Sequence, residues 1–130
     1  MDWKLVVRLS GFGLFMALAT VFFVPPSVEP LLWLPILVTV ALLIAKFAPG
    51  KYFLHGLAVS GMNCVWITSA HLLFFERYAA GHASEMAATA SIPFPPLVAV
   101  SIVGLLIGLI SGCVLGIVSF IASKVVKPSA

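Results

Sequence analysis

Residues 97–122 read LVAVSIVGLLIGLISGCVLGIVSFIA, twenty-six residues without a charge or a proline. A helix rises about 1.5 Å per residue, so about 20 apolar residues cross a hydrocarbon core about 30 Å thick. This stretch is long enough to do so and too apolar to face water. Gly104, Gly108, Gly112 and Gly116 recur inside it at intervals of four, which stacks them on one helix face. Apolar helices gain little by leaving lipid for one another, so close backbone approach through small residues becomes a main source of association. Ser111 and Ser119 widen the same groove. The pattern predicts a membrane helix with one tightly packed face, against a helix of this chain or of a second copy.

Charges punctuate the rest of the chain. Twenty uncharged residues separate Arg8 from Glu29, sixteen separate Glu29 from Lys46, and twenty-four separate Lys51 from Glu76. Each gap has room for one span. The first helix is stopped by Pro25-Pro26 and the second by Pro49-Gly50, while Pro93, Pro95 and Pro96 close the segment before the last; a proline ring cannot continue a helix from within it. The predicted helices cover about 3–24, 31–47, 52–78 and 97–125, with an outer loop at 79–96. The first apolar stretch runs on through Phe22, Phe23 and Val24, beyond the length usual for a cleaved signal peptide.

Composition agrees with this partition. Only 8% of the 130 residues are charged and 62% are hydrophobic, against about 25% charged in a soluble domain. The outer surface therefore needs lipid as its solvent. The expected fold class is all-α, a single polytopic domain built as an antiparallel bundle of four transmembrane helices. Lys4, Arg8, Lys46, Lys51, Lys124 and Lys127 fall at one set of helix ends and Arg77 alone at the other. Basic residues gather on the cytoplasmic side, so both termini are expected in the cytoplasm. Short loops and no recognisable targeting peptide make a bacterial plasma (inner) membrane the expected location. The net charge of +3 is spread singly over helix ends and implies no nucleic acid.

The third span is the polar one. His55, Ser60, Asn63, Thr68, Ser69 and His71 interrupt its apolar run, and such a helix should turn these groups toward the bundle. Asn63 and His71, with Ser60 and Thr68, mark a candidate polar pathway or ligand face. The competing expectation is plain interhelical hydrogen bonding, worth about 0.6 kcal/mol per contact. His71, His82 and Glu85 are weak candidates for a metal edge, since three mixed ligands lack a defining spacing. His55 and His71 lie sixteen residues apart on one helix, about 24 Å in rise, and cannot flank one haem iron. Cys64 and Cys113 sit inside apolar stretches and read as small packing residues. No cofactor is expected.

No HExxH, GxSxG or Walker loop occurs, and no predicted span carries a central charge of the kind an ion-coupled relay uses. Two functional expectations follow. The first is a non-enzymatic membrane protein, surrounded by the lipid bilayer, that works through helix packing as a homo-oligomer or an accessory subunit of a larger membrane complex. The second is a small transporter, channel or lipophile-binding bundle that uses the polar face of the third span.

Overall fold

The computed structural model describes residues 1–127, and its only regular secondary structure there is helical. Seven helices follow in order: α1 (Trp3–Leu9), α2 (Gly11–Phe22), α3 (Glu29–Phe47), α4 (Tyr52–Leu73), α5 (Phe75–Gly81), α6 (Ala83–Thr89) and α7 (Pro96–Ala122). Four stretches are long and apolar enough to cross a membrane: Trp3–Phe22, Glu29–Phe47, Tyr52–Leu73 and Pro96–Ala122. Their outward faces carry exposed large hydrophobics such as Leu34, Val38, Leu105, Leu109 and Ile117.

Two boundaries differ from the sequence expectation, each for a local reason. The helix expected over 52–78 breaks at Phe74, whose φ of −113° and ψ of 37° leave helical geometry. The outer loop expected over 79–96 then contains α6, a further short helix. Within the first span Ser10 separates α1 from α2: its hydroxyl donates to the Val7 carbonyl at 2.8 Å, a back-bond that bends helices.

Helix α4 is the hub. It packs most extensively on α7, and through other positions on α2 and α1, while α3 leans chiefly on α7. The α4–α7 register is antiparallel, because Phe53 meets Gly116, Leu57 meets Gly112, Cys64 meets Gly108 and Thr68 meets Gly104. At each of these glycines a Cβ would come within 2.9 Å of the α4 atom, closer than van der Waals contact. Two polar bonds fasten the same line. Ser60 Oγ donates to the Gly108 carbonyl at 3.0 Å, and Cys64 Sγ donates to the Gly104 carbonyl at 3.3 Å. The glycine face is thus filled by α4 of the same chain.

Two apolar clusters sit at different depths. Val6, Leu9, Val40, Ala41, Ile44, Ala48, Val59 and Leu115 form the larger, where α1, α3, α4 and α7 converge. Ala17, Val21, Ala70 and Tyr78 form the smaller, which ties α2 and α4 to α5. The N-terminus is pinned beside the first cluster. Asp2 caps α1 by accepting from the Leu5 N–H at 3.0 Å, and its own N–H donates to His55 Nε2 at 2.9 Å. His55 Nδ1 lies 3.1 Å from the Lys51 carbonyl. A carbonyl only accepts, so the proton is on Nδ1 and the buried ring is neutral and fully satisfied.

The Leu5 amide, first among several causes, holds the Asp2 carboxyl below its ordinary value of 3.8. A depressed folded value contributes stability that is complete above the ordinary value and lost as pH falls through the folded one. Asp2→Ala is accordingly expected to lower the unfolding temperature at neutral pH. Below that acid transition the difference from wild type should vanish, which a thermal-unfolding series against pH reads directly.

Candidate functional site

Helices α4 and α7 are held together by the glycine face, and the C-terminal half of α3 is held by Val40, Ala41, Ile44 and Ala48 in the larger cluster. In the N-terminal half of α3 only Ile36 and Leu37 pack on that cluster, partly buried, and there a cavity of about 650 Å³ lies among α3, α4 and α7. Pro35 falls in this half of α3 and removes the N–H that would pair with the Leu31 carbonyl. The volume falls in the range of small-molecule sites, about 300–1,000 Å³.

The walls are apolar over most of the length. Helix α3 contributes Trp33, Ile36 and Leu37, and α7 contributes Val100, Val103 and Ile107. Helix α4 supplies polar groups: Ser60, Asn63, Thr68 and His71 all line this one space. The sequence marked these four as one face, and the structure brings them to one cavity. It does not give Asn63 and His71 the interhelical hydrogen bonds that the competing expectation required. Asn63 Oδ1 and His71 Nε2 are buried without a partner, and Asn63 instead presses against the space a Cβ would need at Gly13.

The cavity ends at a group of which the sequence reading joined His71, His82 and Glu85 but not Glu29 or Met86. Glu29, Tyr78, Glu85 and Met86 line that end. The Tyr78 ring is sandwiched between His71 and His82, with centroid distances of 3.9 and 4.4 Å and interplanar angles of 15° and 24°. Burial pushes the Tyr78 phenol up to about 12, and the nearby Glu85 and Glu29 carboxylates add to the rise. Trp33 Nε1 donates to Glu29 Oε1 at 3.1 Å, which fixes the carboxylate one helical turn below it. The other oxygen, Oε2, stands 4.0 Å from His82 Nε2.

His82 Nδ1 lies 3.1 Å from the Tyr78 carbonyl, so Nδ1 carries a proton, and Nε2 faces the Glu29 carboxylate without a hydrogen bond of its own. As for a metal, His71 and His82 flank the phenol instead of converging. Among the described residues no three His, Cys, Asp or Glu side chains stand together to hold an ion.

These elements define a class: an all-helical chain with four helices able to cross a membrane and a ligand-sized cavity among three of them, polar at one end. Comparison with protein-family models, with curated proteins and with solved structures finds no match. The outer group had only faint sequence signals. Glu29 and Trp33 are four apart, and Tyr78 and His82 are four apart, but nothing in that spacing says the two pairs meet.

Proposed function

We propose that this is a small integral membrane protein that binds an amphipathic small molecule in the cavity between α3, α4 and α7. The observation that carries the reading is the cavity itself: apolar for most of its length, with polar side chains of α4 along one wall and carboxylates at one end. Such a gradient matches a molecule with an apolar body and a polar head, of the kind that partitions into a bilayer. The helix-packing expectation drew on the glycine face and on the lack of a catalytic motif, and α4 of the same chain occupies that face. In this reading the six basic residues Lys4, Arg8, Lys46, Lys51, Lys124 and Lys127 lie on the cytoplasmic side. Both termini are then cytoplasmic, and the carboxylate end of the cavity lies near the opposite face.

Native mass spectrometry of protein extracted in a mild detergent is expected to show a fixed small adduct on the wild type. Leu37→Trp or Ile107→Trp, each placing an indole in the cavity, should remove that adduct while the variant keeps wild-type helicity. An adduct retained in both variants would locate the ligand elsewhere, and a bare wild-type chain would remove the support for an amphiphile carried from the membrane.

A further inference from the structure

We propose that the apolar body of the ligand is a single linear alkyl chain of about 13 carbons, laid along the helix axes with its tip against Val40 and Leu115. The proposal rests on the reading of the cavity as a ligand site and names the shape it takes. The cavity follows successive turns of each wall, from Glu29 to Val40 on α3, from Ser60 to His71 on α4 and from Val100 to Leu115 on α7. At about 1.5 Å per residue the first two stretches rise about 16 Å and the third about 22 Å. A volume of about 650 Å³ spread over those lengths leaves a slot about 6 Å across, less than half as wide as it is long.

The slot has a floor. Val40 and Leu115 belong with Val59 to the larger buried cluster, so the inner end closes on packed side chains. The polar groups stand at the other end, where Glu29, Tyr78 and Glu85 line the cavity. A chain whose head stays at the polar end and whose tip meets the floor is measured by the distance between them. A zigzag of bonds about 1.5 Å long, meeting at about 111°, advances about 1.25 Å per carbon, so about 16 Å holds about 13 carbons. The inner half asks for hydrocarbon. Ser60 and Cys64 already donate to the Gly108 and Gly104 carbonyls, and Asn63 is pressed against Gly13 of α2. Among the described residues no charged side chain lines that half, and Ser111 brings its one other hydroxyl. Methylenes lose no hydrogen bond there and gain dispersion contacts along the whole wall.

The test uses the full chain in phosphatidylcholine nanodiscs doped with equal amounts of monoacylglycerols bearing octanoyl, decanoyl, dodecanoyl, tetradecanoyl and hexadecanoyl chains. These probes share one uncharged head and differ in mass, so native mass spectrometry reads which stays on the protein relative to its share of the lipid. Occupancy should peak at dodecanoyl or tetradecanoyl, at least about threefold above octanoyl, which leaves part of the slot void. Hexadecanoyl, too long for the floor, should fall below the peak. Ser111 lines the slot one helical turn short of Leu115. Ser111→Leu fills that turn and should move the peak down by about two to four carbons; the wild-type profile decides alone if this variant does not fold. A profile without a maximum, a peak unmoved by Ser111→Leu, or cholesterol displacing every chain overturns the linear chain, while occupancy lost in Leu37→Trp still upholds the cavity. If no monoacylglycerol exceeds its share of the lipid, or Leu37→Trp changes nothing, the cavity reading itself fails and the chain proposal falls with it.

Discussion

Gly56→Ala is expected to destabilise the bundle by about 3 kcal/mol, the upper end of an ordinary overpacking change. A Cβ at Gly56 would meet Gly116 Cα and N at 2.6 Å. Those are backbone atoms of the facing helix, so no side-chain rotation relieves the clash. Helices α4 and α7 would have to separate along the line that also carries the Ser60–Gly108 and Cys64–Gly104 bonds. The reverse substitution site behaves alike, since a Cβ at Gly116 would meet the Phe53 carbonyl oxygen at 2.8 Å. Gly61→Ala and Gly11→Ala are the controls: nothing lies within 4 Å of a Cβ at either position. Alanine also favours the helix by about 1 kcal/mol over glycine, so these two should be neutral or stabilising. Reversible unfolding in mixed micelles measures all four. Equal losses at Gly56 and Gly61 would mean that the cost comes from helix propensity or lipid contact, and that the seam does not depend on close backbone approach.

What could be read from residues alone divides along a physical line. A membrane span is legible because its solvent is lipid: a run such as 97–122 must be helical and apolar whatever its neighbours do. The period of Gly104, Gly108, Gly112 and Gly116 is legible as one small face. Nothing in it chooses α4 over a second copy, because the choice depends on the lengths and turns of the whole chain. The polar face of α4 is legible in the same way. That Ser60, Asn63, Thr68 and His71 also border a cavity depends on how far α3 stands off, and the fully buried contacts of α3 lie in its C-terminal half. His55 illustrates the converse, since a buried histidine in a span reads as a functional candidate. Its two nitrogens are consumed by the Lys51 carbonyl and the Asp2 N–H, contacts that require the chain to have returned to its own N-terminus. The segment after Phe74 is the least legible part. Seven-residue helices such as α5 and α6 are too short to be stable by themselves, and packing of their Tyr78 and Met86 against Ala17, Val21 and Ala70 decides them.

Tyr78→Ala is the second change with a large expected effect. The ring is 8% exposed, packs with Ala17, Val21 and Ala70, and is sandwiched by both histidines. Truncating a buried aromatic costs about 3–5 kcal/mol, and here the loss falls on the contacts that hold α5 and α6 against the cavity end. Local opening should precede global unfolding, and Cys64 reports it, since it lines the cavity while Cys113 is exposed elsewhere. In a Cys113→Ala background, a water-soluble thiol reagent should modify Cys64 at least about tenfold faster once Tyr78 is alanine. Tyr78→Phe keeps the stacked ring and should stay near the wild-type rate. The phenol supplies an independent check with a definite sign. Its folded value lies near 12 against an ordinary 10.0, so the fold favours the neutral form. That contribution is complete below about pH 10 and lost as pH rises through about 12. Over that window the wild type should lose stability relative to Tyr78→Phe, which has no phenolate to form. If Tyr78→Ala leaves the Cys64 rate unchanged, the ring does not hold α5 and α6 against the cavity end.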